Sequence, residues 1–233
     1  MNVLKTLAID TSGKVASVAF CDGDKLVCEK TLYTKLTHSQ IILPMVKEVM
    51  TDSNVTFDDV DCIAVANGPG SYTGLRIGIA AVKGMCLGSP NIKCAGISTL
   101  ESLAYNCVAF CGKIISVMRA RPEIVYAGVF QSDGYKISRL KGDKVCPEQE
   151  IFADLDTTEK IMLVGDYSFE IKEKYFKDNE NVLCANISQR LQKASSLCLA
   201  VENNDSCITS ADCLEVAYLQ ATKAEKDKAH RDK

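Results

Sequence analysis

The sequence predicts a two-lobed α/β protein in which a βββαβα unit occurs twice, over residues 1–110 and 111–222. Three observations carry this expectation. Three short β-type runs separated by tight polar turns open the chain, and three more begin at Ile114. Each triplet is followed by segments of helical apolar spacing that alternate with short apolar runs, the pattern of mixed sheets covered by helices. The length of 233 residues and the 47% hydrophobic content suit two small lobes that share a core. No Pro/Ser-rich linker marks residue 110, so the lobes are expected to pack closely.

The first unit reads as follows. Val3–Ile9 is an apolar strand that ends in the turn Asp10-Thr11-Ser12-Gly13. Val15–Cys21 and Lys25–Leu32 form a hairpin about Asp22-Gly23-Asp24. Thr37, with Gln40 three residues on, has the spacing of a capping box. Ile41, Ile42, Met45, Val46 and Val49 then give a helical stripe that Pro44 should bend. Cys62–Ala66 is a strand, about Ser71–Leu87 a helix, Ile92–Ala95 a strand and Thr99–Ala109 a helix.

The second unit opens with strands at Ile114–Met118, Val125–Gln131 and Lys136–Leu140, with a turn at Ser132-Asp133-Gly134. A short helix is expected near Glu148, a strand at Ile161–Val164, and helices near Glu170 and over Leu191–Val201. The repetition is one of topology, not of sequence identity.

The formal net charge is −3, and no basic face suited to holding a nucleic acid directly is evident. The tail Lys223–Lys233 mixes Lys and Arg with Glu225, Asp227 and Asp232, which reads as a flexible, solvated terminus. There is no signal-peptide pattern and no apolar run of membrane-spanning length, so a cytoplasmic protein away from the membrane is expected. Twelve scattered cysteines without a CxxC suggest buried thiols in a reducing compartment, with Cys107 and Cys111 one turn apart on a helix.

A doubled unit of this kind suggests the actin/Hsp70/sugar-kinase (ASKHA) architecture, in which the tight turn after the first strand of each lobe faces a nucleotide's phosphates. Asp10, Thr11 and Ser12 stand at the first such turn. They could cradle a phosphate, or form a plain turn whose side chains bond their own backbone. The second turn is Arg119-Ala120-Arg121-Pro122, with no carboxylate before Glu123, so it offers no oxygen ligand for a metal-bound triphosphate. Gly165-Asp166 is a thin stand-in for a glycine loop around an adenine. Only two histidines exist, His38 and His230, which excludes a His-rich metal site and leaves a metallopeptidase disfavoured. An ATP-dependent kinase would need the missing carboxylate and adenine loop.

The most specific stretch runs from Asn67-Gly68-Pro69-Gly70 through Ser71-Tyr72-Thr73-Gly74 to Leu75-Arg76-Ile77-Gly78. Ser71 is a good N-cap. Gly74 and Gly78 lie one turn apart, and each glycine inside a helix costs about 1 kcal/mol relative to alanine. Another backbone should therefore approach closely, either the chain's own sheet or a helix of a second subunit.

Together with Ala8-Ile9-Asp10-Thr11-Ser12, His38-Ser39-Gln40, Leu43-Pro44 and Ser98-Thr99-Leu100-Glu101, this stretch resembles the TsaB (YeaZ) family of tRNA threonylcarbamoyladenosine biosynthesis proteins. Ala120-Arg121 through Val125-Tyr126 fits the same family, and Tyr218-Leu219-Gln220 is similar to its closing Tyr-Leu-Arg. The match is strong over residues 5–126 and faint beyond. Arg119 stands where the family often has Asp.

The resemblance implies a two-lobed ASKHA fold without a working active site, no tightly bound cofactor, and a nucleotide at most at the subunit boundary of a complex. It implies a TsaD-like catalytic subunit that transfers threonylcarbamoyl to adenosine 37 of tRNAs reading ANN codons, a TsaE-like ATPase, and only indirect contact with tRNA. It further implies docking, or self-association, through two N-terminal helices. On this sequence that surface comprises His38, Ile41, Ile42 and Met45 on one helix and Tyr72, Gly74, Leu75, Arg76, Gly78 and Ile79 on the other. The resemblance thus favours a subunit interface for the glycine stripe.

Overall fold

A computed structural model describes residues 4–153 and 155–220. The chain runs β1 (Lys5–Asp10), β2 (Val15–Asp22), β3 (Lys25–Tyr33), α1 (His38–Asp52), β4 (Cys62–Gly68), α2 (Tyr72–Gly88), β5 (Lys93–Ser98) and α3 (Thr99–Tyr105). It continues through β6 (Gly112–Arg121), β7 (Ile124–Ser132), β8 (Ile137–Pro147), β9 (Ile161–Val164), α4 (Ser168–Tyr175), β10 (Val182–Cys184), α5 (Ala194–Glu202) and β11 (Ile208–Thr209). A 3-10 turn at Glu148–Ile151 occupies the place in the second unit that α1 holds in the first.

Two sheets form, ordered β11-β5-β4-β1-β2-β3 and β10-β9-β6-β7-β8. In each, the first strand lies antiparallel to the second and parallel to the fourth. The duplication is therefore real, and each half closes on a further βα pair, β5–α3 and β10–α5, of which β10 alone was not expected. With three residues, β10 is too short to show alternation in sequence. β8 extends well past Leu140, with irregular pairing against β7 near Ala127–Phe130. The helix expected over Thr99–Ala109 ends at Tyr105, so Cys107 (buried) and Cys111 (exposed) lie in the turns beyond it rather than on one helix face. α5 starts at Ala194, not Leu191.

Alternation along the strands of the first sheet sorts residues by size. Leu7, Ile9, Val18, Phe20, Ile63 and Val65 pack in one core with α1 and α2. Ala8, Ala19, Ala64 and Ala66 face the opposite way, into a core shared with Leu197, Cys198 and Val201 of α5. Small residues on that face let a helix lie close, and both faces are covered. α5, from the second half, thus packs on the first sheet, while α3, from the first half, packs on β6, β7 and β8. The halves 1–110 and 111–222 share the layer made by these two helices. A third core, with Ile115, Val117, Leu163 and Ile171, lies under α4. The tail 223–233, with His230, lies outside the described residues. No described helix is long and apolar enough to cross a membrane.

Candidate functional site: the Asp10 turn and the face of α1 and α2

β1 delivers Asp10 to the turn, where its side chain is fully buried. Oδ1 accepts from the Ser12 backbone N–H at 2.8 Å and from Ser12 Oγ at 2.6 Å, while Oδ2 has no partner. Burial pushes the carboxyl up to about 6, against the opposing effect of the two Ser12 bonds. Thr11 Oγ1 donates to Gly74 O at 2.8 Å, and the Ser12 carbonyl accepts from Ser71 N–H at 2.8 Å. All three side chains of Asp10-Thr11-Ser12 are at 0% exposure.

The start of α2 closes this turn from one side. Ser71 caps the helix by accepting from Gly74 N–H at 3.2 Å. A Cβ at Gly70 would collide with the Ser12 carbonyl, and one at Gly74 with the Thr11 carbonyl. A Cβ at Gly78 would meet Thr11 Oγ1 at 2.5 Å. On the other side the side-chain amide of Gln192 lies against Gly13, where a Cβ would have to displace it. The backbone that approaches the glycine stripe is thus the chain's own Asp10 turn. The Thr11 hydroxyl is spent on α2, and the Ser12 hydroxyl and backbone N–H are spent on Asp10, so these donors expected to cradle a phosphate are already bonded within the chain.

The ten residues expected at a partner surface divide in the same way. Ile41, Ile42, Met45, Leu75 and Ile79 are buried in the chain's own core, and Gly74 and Gly78 face Thr11. His38 is half-buried beside the Thr11 backbone and Gly74, and its pKa is lowered chiefly by burial. Tyr72 is half-buried and Arg76 is exposed. What α1 and α2 present outward is a different set. Leu43 is 53% exposed, Thr73 and Ala80 are exposed, and an apolar groove of ≈ 300 Å³ is lined by Leu43, Val46, Lys47, Met50, Phe57 and Met85, among others.

In the second lobe β6 runs on through Arg121 and turns at Pro122-Glu123, so Arg119, expected in the turn, lies near the end of the strand, exposed, with its guanidinium 5.1 Å from the Tyr167 ring centroid. The carboxylate facing this strand end comes from Asp166, beyond β9. It accepts from Arg119 N–H at 3.0 Å and lies 3.8 Å from Lys14 Nζ of the first lobe. Burial raises the Asp166 pKa against both contacts. Gly165 does not act as an adenine loop, since a Cβ there would collide with the Val117 carbonyl and its N–H donates to Arg190 O. Among the described residues, no three His, Cys, Asp or Glu side chains converge as a metal site would need.

Sequence reasoning gave no role to Gln192, which plugs the turn, or to Tyr218, which crosses α2. The Tyr218 ring stacks on Tyr72, with centroids 4.4 Å apart and planes at 10°. Only the similarity of Tyr218-Leu219-Gln220 to a family pattern pointed there.

The family model described as "TsaD: tRNA N6-adenosine threonylcarbamoyltransferase" matches residues 33–227. The chain is 37% identical over 145 residues to "tRNA threonylcarbamoyladenosine biosynthesis protein TsaB" of Bacillus subtilis (strain 168), covering 62% of this chain and 61% of that protein. It is 34% identical over 132 residues to the protein of the same description from Escherichia coli (strain K12), covering 56% of each. The matches thus span about three fifths of these relatives' length. The solved structure "YeaZ from Pseudomonas aeruginosa" superposes with a TM-score of 0.80 at 24% identity, covering 93% of this chain and 100% of that one, and shares its fold.

Proposed function

Because the chain belongs to the family described as TsaD, tRNA N6-adenosine threonylcarbamoyltransferase, and its relatives are TsaB (YeaZ) proteins, we propose that it serves threonylcarbamoyladenosine synthesis in tRNA as a partner subunit without an active site of its own. The observation that carries the non-catalytic reading is the closed Asp10 turn. A carboxylate at 0% exposure, in a turn whose Ser12 and Thr11 carbonyls pack against Gly70 and Gly74, does not reach a substrate.

In this reading a TsaD-type subunit transfers threonylcarbamoyl to adenosine 37 of tRNAs that read ANN codons, in the cytoplasm. A TsaE-type ATPase joins the pair, and tRNA is met only through the complex. Any nucleotide is held at the boundary with the partner. Docking uses the outward strip of α1 and α2, with Leu43 and its groove, Thr73, Arg76 and Ala80, rather than the buried stripes. An exposed apolar groove between two helices is the kind of surface a partner helix covers. Self-association in the absence of the partner uses the same strip.

The test is co-purification of this chain with the TsaD-type subunit of its own organism, with Leu43→Glu as the interface variant. Recovery of a stoichiometric pair with the wild type, and its loss with a folded Leu43→Glu, supports the reading. Failure of the wild-type chain to pair refutes it.

A further inference from the structure

We propose that Tyr218 is a positioning residue of the docking face, setting the guanidinium of Arg76 for a protein partner that presents a carboxylate or carbonyl acceptor. The inference rests on the reading that the outward face of α2 receives that partner.

The segment bearing Tyr218 is anchored on both sides of the contact. Leu214 is 2% exposed within the core of the first half, and Ala217 N–H donates to Asn67 O at 2.8 Å. Gly68, at φ 130°, leaves room for the Ala217 carbonyl, which lies 2.5 Å from where a Cβ would stand. Beyond it, Tyr72 Oη donates to the Gln220 carbonyl at 3.3 Å.

Between these anchors Tyr218 lies flat on Tyr72, and its hydroxyl accepts from Arg76 Nε–H at 2.8 Å. The guanidinium carbon is 5.5 Å from the Tyr72 ring centroid and 5.8 Å from that of Tyr218, within cation–π range of both. An exposed arginine ordinarily loses its rotamer freedom when it docks. Here one N–H and two rings already hold the group, while Arg76 stays exposed and Tyr218 is 40% exposed. A residue 142 positions away in sequence therefore contributes to the α2 surface.

The experiment titrates the full-length chain against the TsaD-type subunit of the same organism, comparing wild type, Tyr218→Phe, Arg76→Ala and the double variant. Tyr218→Phe keeps the ring stack and removes only the acceptor, so its melting temperature should match the wild type. Arg76→Ala should weaken binding about tenfold and Tyr218→Phe about threefold, with the double variant no weaker than Arg76→Ala alone. Independently of any partner, the Arg76 Nε–H resonance should exchange faster with water in Tyr218→Phe. Wild-type affinity in Tyr218→Phe beside a weakened Arg76→Ala, or fully additive losses, would overturn this inference alone. Wild-type affinity in Arg76→Ala would strike the docking reading itself, and this inference with it.

Discussion

Gly74 on α2 lies directly against the carbonyl of Thr11, while Thr11 Oγ1 donates to Gly74 O at 2.8 Å, so helix and turn are locked at a spacing only a bare Cα allows. This contact explains both the closed turn and the glycine on the helix.

Gly74→Ala should therefore destabilise the isolated chain. Ordinary helix propensity would favour alanine by about 1 kcal/mol, but forcing a methyl into a fixed backbone costs roughly 1–3 kcal/mol or more. A net loss of about 2 kcal/mol in urea unfolding is expected. Gly84, with nothing within 4 Å of a Cβ, is the control, and Gly84→Ala should gain about 0.5–1 kcal/mol. Equal effects at the two sites would contradict the packing account.

Asp10 should leave a mark on the pH dependence of stability. Its folded pKa of about 6 lies above the ordinary 3.8, so the folded state binds the extra proton between these values. Stability from this residue is then present at low pH and lost as pH rises from about 4 to about 6, by on the order of 3 kcal/mol. Asp10→Asn should flatten that slope, as read from thermal unfolding across the window. An unchanged slope would mean that the carboxyl is not buried as described.

Glu148 makes the opposite case. Its carboxylate, 3% exposed, accepts from Tyr167 Oη, Tyr175 Oη and Lys174 Nζ at 2.8–3.0 Å. Burial acts to raise its pKa, yet these donors outweigh it and leave the pKa lowered. Its contribution is present above the ordinary carboxylate value and lost as pH falls through the folded one. Glu148→Ala should cost about 2 kcal/mol in urea unfolding at neutral pH, since two hydroxyls lose their acceptor. A loss near zero would show that solvent replaces the carboxylate freely.

Leu43→Glu tests the revised docking strip against the buried one. The side chain is already half in solvent, so stability should change by less than about 0.5 kcal/mol. Pairing with the TsaD-type subunit should fall at least about tenfold by titration. Unchanged affinity would move the interface off α1.

Local signals were the readable part of this molecule. The Thr37–Gln40 capping box and the Ser71 N-cap are encoded within four residues, and both are present. The Asp10 turn and the three-strand openings were legible for the same reason. The glycine stripe shows the limit of such signals. Helical spacing tells which face of α2 must be bare, but not what approaches it, and Thr11 lies 63 residues from Gly74. The exchange of α3 and α5 between the sheets was hidden likewise, since periodicity reports an apolar face and not the sheet it meets. Tyr218 reaches Arg76 across 142 residues, a distance no local pattern spans.

The most direct test of the central claim is threonylcarbamoyl transfer to tRNA by the organism's own TsaD-type subunit and TsaE-type ATPase, measured with and without this chain. The account predicts modified tRNA only when the chain is added, and neither transfer nor ATP hydrolysis by the chain alone. Full transfer without it, or ATP hydrolysis by the chain alone that Asp10→Asn abolishes, would contradict the account and return the Asp10 turn to the role of an active site.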